Sequence, residues 1–354
     1  MIVHIFVYDK FHISYIKKIN SLFDNHTFFV YDPHKKKTGA ENAIKNACYS
    51  SDFKSTKKWI YSLETAIDQA ERVIFHSIFS TRILLSAVKK IHDNSQKYFW
   101  VIWGGDLYNA YWNRNNSLPM ICREFIRRYF IKRIDSVGIV KGDYRFLKKH
   151  YKTNATFYLA SYTYDLLPYS EKKNQNEMTS ILLANCASNT CRYEDIIIRL
   201  SRLNTKNYIV YCILSYPNNQ EYIEKICKMG RKMLEDRFIP VTEFMDYNDY
   251  MRFLEKIDIA VFNHDRQQAL GNIASLIYLG KTVFINHDNC CGEFFEDMGA
   301  VIFPVEELSE KWISKPCMTK EIRNSNKQCI ENFFSDEEFK KRWERIFYKK
   351  KENV

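Results

Sequence analysis

The chain has 354 residues, more than one ordinary core organises, so two domains are expected. A composition of 46% hydrophobic and 27% charged residues with only 7 Pro excludes a wholly disordered chain. Against 42 Asp+Glu stand 53 Lys+Arg, a formal net charge of +11 that favours anionic partners such as nucleotides, phospholipid headgroups or nucleic acid. The ten Cys lack the spacing of a disulfide framework, and their close pairs are Cys186/Cys191 and Cys290-Cys291. Without a Cys-x-x-Cys pair, reduced thiols are expected and structural zinc is not.

Residues 2–8 read as a first strand and not as a secretory signal, since no basic segment precedes them and Asp9-Lys10 ends the apolar run. No apolar run approaches the ~20 residues that span a bilayer, so membrane contact is expected to be peripheral. Ser14 to Phe23 predicts an amphipathic helix and Phe28 to Tyr31 a strand stopped at Asp32-Pro33. A helix-biased polar region runs from Ala40 to Ala70, followed by a strand at Arg72 to His76. Apolar spacing at Ile83, Leu84, Ala87, Val88 and Ile91 predicts a helix over Thr81 to His92, before a strand at Phe99 to Trp103. Strands alternating with helices indicate a parallel, doubly wound α/β sheet.

Trp103-Gly104-Gly105-Asp106 follows that strand. Two glycines permit a sharp turn that sets the Asp106 carboxylate at the mouth of the sheet, either as a base for an attacking hydroxyl or as a helix cap. Met120 to Ile134 places Ile121, Phe125, Tyr129 and Ile126, Phe130, Ile134 at intervals of four. Arg123, Arg127, Arg128, Lys132 and Arg133 lie between them. From Arg123 to Lys152 there are ten Lys/Arg against three Asp/Glu, the pattern of a segment resting on an anionic membrane; a core helix with a basic outer face reads the same way. A strand at Asp135 to Val140, a turn at Lys141 to Tyr144 and a helix at Arg145 to Tyr151 complete this half.

Tyr164 to Thr179, with Pro168 and a long polar run, has the composition of a linker. A second series then begins with a strand at Ser180 to Ala184, the loop Asn185 to Arg192, a helix at Glu194 to Leu203 and a strand at Tyr208 to Ile213. It continues through the loop Leu214 to Asn219, a helix at Glu221 to Met229, a strand at Phe238 to Val241 and a helix at Tyr247 to Glu255. The expected domains are 1–165, 178–325 and a helical tail 326–354 whose Trp343, Ile346 and Phe347 are available for docking.

The pattern is organised around Ile257 to Ile285. It predicts a strand to Phe262, a polar loop Asn263 to Gln268, a helix Ala269 to Leu279 ended by Gly280, and a second strand. In open α/β sheets ligands bind outside the carboxyl ends of strands, where helix N-termini turn backbone N–H groups toward anions. Arg266 in that loop suits a diphosphate as counter-charge; an ordinary solvated loop is the alternative.

Several segments together resemble one family. Phe99 to Tyr108, Lys141-Gly142-Asp143 with Phe146, Tyr216-Pro217-Asn218-Asn219 with Glu221 to Glu224, and Arg266-Gln267-Gln268 with Gly271 are similar to the TDP-Fuc4NAc:lipid II Fuc4NAc transferases. These act on the undecaprenyl-linked intermediate of enterobacterial common antigen. The resemblance implies a GT-B architecture, two Rossmann-like domains with the donor held mainly by the C-terminal one, and a peripheral place on the cytoplasmic face of the bacterial inner membrane. It also implies a nucleotide-sugar donor and an undecaprenyl-diphosphate-linked acceptor. With Arg266 and the helix N-terminus at Ala269 stabilising the leaving diphosphate, no metal and no other cofactor is expected, in keeping with the absence of Asp-x-Asp. Carried over by position, Asp106 and His76 are the acceptor-side residues, and Asn185, Ser188, Tyr216, Asn219, Arg266, Gln267 and Gly271 the donor-side residues. Base and sugar stay open, a related O-antigen or capsule transferase being one alternative. A non-catalytic carrier-binding protein and a nucleic-acid-binding protein are others, the last disfavoured because no recognised nucleic-acid module is visible.

Overall fold

The computed structural model describes residues 1–9, 11–34, 44–91, 97–112, 117–162, 178–217, 219–316 and 318–348. The chain divides into two compact units, one of residues 1–163 with 336–354 and one of residues 164–335.

In the first unit, β1 (Ile2–Val7), α1 (His12–Leu22), β2 (His26–Tyr31), β3 (Ala47–Tyr49), α2 (Thr56–Gln69), β4 (Arg72–His76), α3 (Thr81–Ile91), β5 (Tyr98–Val101), α4 (Gly105–Trp112), α5 (Leu118–Ile131), β6 (Asp135–Gly138), α6 (Lys141–Tyr151) and β7 (Phe157–Leu159) follow one another. All neighbouring strands pair parallel, in the order β3-β2-β1-β4-β5-β6-β7. Central strands buried on both faces read as nearly continuous apolar runs, which is why β1 is Ile-Val-His-Ile-Phe-Val, apolar but for His4.

The second unit begins with β8 (Thr179–Leu183), α7 (Tyr193–Ser201), β9 (Tyr208–Ile213), α8 (Gln220–Leu234), β10 (Phe238–Val241), α9 (Tyr247–Glu255), β11 (Ile259–Phe262), α10 (Leu270–Tyr278), β12 (Thr282–Ile285), α11 (Cys290–Asp297) and β13 (Phe303–Pro304). The helices α12 (Glu310–Ser314) and α13 (Lys320–Phe333) follow, and α14 (Asp336–Phe347) returns to the first unit. The sheet is again parallel, in the order β10-β9-β8-β11-β12-β13. Gly280 ends α10 with φ +71°, the left-handed conformation expected of a terminating glycine.

Three local differences from the sequence pattern have physical causes. The region Ala40 to Ala70 is not one helix. Within its described part β3 interrupts, because Tyr49 is buried against the first sheet and the β2 edge supplies partners for the backbone. Lys141 to Tyr144 forms the first turn of α6, with Asp143 buried and accepting from the Tyr108 hydroxyl at 2.6 Å. Residues 326–354 do not fall in one unit: the part of α13 from residue 326 belongs to the second unit, whereas α14 buries Phe339, Trp343, Ile346 and Phe347 on the first sheet. The linker expected over Tyr164 to Thr179 lies outside the described residues as far as residue 177.

Candidate active site

Each sheet reverses its winding direction once, and at such a point the flanking loops diverge and open a crevice at the carboxyl edge. In the second unit the reversal lies between β8 and β11.

The loops after these two strands are joined by hydrogen bonds. His264 Nε2 donates to the Ala184 carbonyl at 3.2 Å, Asp265 N to the Thr190 carbonyl at 3.0 Å, and Asn263 Nδ2 to the Arg192 carbonyl at 3.2 Å. Gln268 Nε2 reaches Cys191 Sγ at 3.3 Å. Because a carbonyl can only accept, the His264 proton sits on Nε2 and Nδ1 is the bare acceptor of a neutral ring. Burial, helped by the Arg266 charge and opposed by the Ala184 carbonyl, lowers its pKa to about 3. His264 Nδ1 and Asn185 Oδ1 are both buried without a partner.

Arg266 is half-buried, its Nη1 donating to the Gln267 carbonyl at 3.2 Å. Behind it stands α10, whose N-cap Ala269 is left-handed at φ 61° and offers no side-chain cap. A helix start without a capping side chain leaves backbone N–H groups for an anion. Asn289 was not singled out by its sequence, yet it holds this loop in place: Nδ2 donates to the carbonyls of His264 and Arg266, each at 2.8 Å, while Oδ1 caps α11. The available signal was the polar run Asn286 to Asn289 between a strand and a helix, the same pattern that marked Asn263 to Gln268.

The other donor-side candidates differ in placement. Ser188 Oγ accepts from Thr190 N and shapes its own loop, and Asn219 Oδ1 caps α8 by accepting from Tyr222 N at 3.3 Å. The Tyr216 ring is 69% exposed, and its carbonyl accepts from Ala187 N at 2.7 Å. Gly271 lies in the first turn of α10 and Gln267 beside Arg266.

In the first unit the winding reverses between β1 and β4. Here the structure corrects two readings. Asp106 does not stand at the mouth of the sheet; it is 1% exposed, Oδ2 accepting from Ile78 N at 3.1 Å and Trp100 Nε1 at 2.7 Å, and Oδ1 from Trp103 N at 2.9 Å. Gly104, at φ 76°, turns the chain so that this carboxylate points back under the loop. Burial raises its pKa against the pull of those donors and Arg127. A carboxylate that already accepts three hydrogen bonds fastens the loop and is not presented to an acceptor hydroxyl.

His76 is likewise 1% exposed, with both ring nitrogens engaged. His26 Nδ1 meets His4 Nε2 at 2.8 Å, His4 Nδ1 meets His76 Nε2 at 3.0 Å, and His76 Nδ1 meets the Tyr162 hydroxyl at 2.7 Å. Tyr162 in turn accepts from Trp103 Nε1. Burial lowers the pKa of all three histidines, that of His26 to about 4. They therefore form a neutral chain across β2, β1 and β4, covered by Trp343 and Phe347 of α14.

The basic helix α5 is corrected at one position. Arg127 points inward, donating to Glu124 Oε2 at 2.7 Å and to the Asp106 carbonyl, so it belongs to no surface. Arg123, Arg128, Lys132 and Arg133 are exposed, beside Leu118 at 74%, Ile121 at 54% and Phe125 at 72% exposure. Among the described residues no helix is long and apolar enough to cross a membrane.

Two parallel α/β units of this kind define a GT-B glycosyltransferase fold. The chain is similar to a glycosyltransferase from Rickettsia africae ESF-5 (12% identity, 99% of each chain covered, TM-score 0.69). It is also similar to WaaG, a glycosyltransferase involved in lipopolysaccharide biosynthesis (10% identity, 99% of this chain and 100% of that one, TM-score 0.60). A third similar structure is Anabaena Alr3699/HepE in complex with UDP (10% identity, 96% and 98% covered, TM-score 0.70). The chain belongs to the 4-alpha-L-fucosyltransferase family, glycosyl transferase group 56, which matches residues 7–352.

Proposed function

We propose that this glycosyltransferase moves Fuc4NAc or a related deoxy or amino sugar from a dTDP-linked donor to an undecaprenyl-diphosphate-linked oligosaccharide, working at an anionic membrane surface. The observation that carries the reading is the carboxyl edge of β8 and β11, where the loop of Arg266 leads into α10, a helix whose start has no side-chain cap. Negative charge grows on the leaving diphosphate as the glycosidic bond breaks. A guanidinium with backbone N–H groups stabilises that charge more than it stabilises bound donor, which lowers the barrier. The cation is supplied by the chain, so the clamp is proposed to work without metal. HepE, similar in fold, is a UDP complex, which supports a nucleotide-linked donor.

For the acceptor side, the support is the exposed face of α5. Leu118, Ile121 and Phe125 recur at helical spacing among exposed Arg and Lys, a face suited to the headgroup boundary of an anionic bilayer. Replacing Phe125 by Asp is expected to reduce flotation with phosphatidylglycerol vesicles without changing nucleotide binding.

The direct test is thermal stabilisation by dTDP, UDP, GDP and CMP, each with and without Mg²⁺, repeated on Arg266→Ala. A nucleotide at a hundred times its Kd stabilises by about 2.7 kcal/mol. Stabilisation by dTDP without Mg²⁺, lost in the variant, is the expected result. Equal stabilisation of the variant would remove Arg266 from the clamp, and a strict Mg²⁺ requirement would end the metal-free reading.

A further inference from the structure

The loop Asn185 to Arg192 contains two thiols that no step above uses. Cys186 and Cys191 are both buried, with their sulfurs 3.5 Å apart. Such a pair needs about 1.5 Å of approach to reach the ~2.05 Å of a disulfide bond. Cys186 follows β8, and Cys191 ends the short helical turn 189–191, so the bridge would close a loop of only a few residues. Cys186 N donates to the Tyr193 hydroxyl oxygen at 3.0 Å, and that hydroxyl donates to the Ile213 carbonyl at 3.0 Å, which fixes the loop around the pair.

We propose that Cys186 and Cys191 are a redox modification site, closed to a disulfide by peroxide-class oxidants and reopened by thiols. The electrostatics favour it: the hydrogen bond shared by the two sulfurs holds the Cys191 thiol below its ordinary value and the Cys186 thiol above it, and backbone N–H groups at 185 and 186 help Cys191. Against the burial of Cys191, this favours Cys191 as the sulfur that gives up its proton and Cys186 as the one that keeps it. In the first step the Cys191 sulfur attacks hydrogen peroxide; an S–O bond forms, the O–O bond breaks, and hydroxide leaves as water with a proton. Cys186 sulfur then attacks the Cys191 sulfenic sulfur; an S–S bond forms, the S–O bond breaks, and the second hydroxide leaves as water with the Cys186 proton. Two thiols lose two electrons and one peroxide becomes two waters.

The consequence reaches the crevice through Gln268. Its Nε2 donates to Cys191 Sγ, and its carbonyl accepts from Cys291 Sγ at 3.7 Å, so it links the cysteine loop to the loop of Arg266. Drawing Cys191 toward Cys186 takes the sulfur from Gln268. Weaker nucleotide binding by the oxidised protein is therefore expected, a clause that rests on the donor reading given above; the disulfide does not rest on it.

The test uses the full chain, reduced, desalted and exposed to hydrogen peroxide, with remaining thiols alkylated. Both cysteines fall in the tryptic peptide from residue 174 to Arg192, which contains no internal Lys or Arg. The expected product is that peptide lacking two hydrogens and carrying no alkyl group, restored by dithiothreitol and absent in Cys186→Ser and in Cys191→Ser. Exposed Cys122 is the internal control. If Cys122 is oxidised while Cys186 and Cys191 remain alkylatable, the site is overturned. In the second arm, oxidation should weaken apparent dTDP affinity about tenfold, reversibly, a coupling of ordinary size between linked sites. A bridge that forms with unchanged dTDP affinity overturns the coupling alone. Absence of any nucleotide stabilisation in the reduced protein counts against the donor reading and leaves the bridge result standing.

Discussion

Acidification should unfold the first unit well before the second. His4, His26 and His76 are buried neutral in the first unit, and His264 alone is so placed in the second among the described histidines with lowered values. Each has a native pKa below its ordinary 6.5, so between the two values the unfolded chain binds the proton and the native one does not. Stability then falls as pH falls, by 2.303RT or about 1.4 kcal/mol per pH unit for each such group. The loss begins near pH 6.5 and, for His26, continues to about pH 4. From pH 7 to pH 5 each group that stays neutral when folded contributes a loss of about 1.9 kcal/mol. Three such groups cost the first unit roughly 5–6 kcal/mol and one costs the second roughly 2, against a typical domain stability of about 5–15 kcal/mol.

Five of the six tryptophans lie in the first unit and only Trp312 in the second, so emission separates the two. Urea unfolding of Trp312→Phe at pH 7, 6 and 5 follows the first unit. The same series on His26→Gln should lose about 1.9 kcal/mol less between pH 7 and pH 5, because one proton-linked group is gone. A first unit whose stability changes no more steeply than the second, or a His26→Gln slope equal to the wild type, would refute the neutral histidine chain.

Asp106→Asn keeps the shape of the side chain but turns an N–H toward at least one of the donors at Ile78, Trp100 and Trp103. A loss of about 1–3 kcal/mol in urea unfolding is expected, and stability within 0.5 kcal/mol of wild type would mean these bonds hold nothing together. Asn289→Ala frees the carbonyls of His264 and Arg266 and uncaps α11; dTDP affinity measured calorimetrically should fall by about tenfold, while an unchanged value would dissociate Asn289 from the donor loop. At Gly230 an added Cβ would meet the Phe238 ring at 2.5 Å, so Gly230→Ala is expected to destabilise the second unit by about 1–3 kcal/mol through forced repacking. An unchanged urea midpoint for Trp312 emission would show that α8 shifts freely over β10.

Sequence alone determined the alternation of the central strands and helices in both units, though not the short strands β3, β7 and β13 or the helix α11. Burial on two faces makes a central parallel strand almost continuously apolar, as in β11 and β12, and the polar stretch after such a strand marks the carboxyl edge. The loop of Arg266 and the helix ended by Gly280 were legible for that reason, since both depend on residues adjacent along the chain. The roles of individual polar side chains were decided by residues far away. His76 looked available until His4, 72 positions earlier, and Tyr162, 86 later, occupied its nitrogens. Arg127 shared the spacing of its exposed neighbours, and only the carbonyl of Asp106, 21 residues earlier, drew it inward. Asn289 gained its role from a loop 23 residues upstream, and Trp343 its place from a sheet begun at Ile2. Local periodicity says which face of an element is apolar, whereas whether a polar group on that face meets solvent or a partner is settled only when the sheet brings distant strands to within hydrogen-bonding distance.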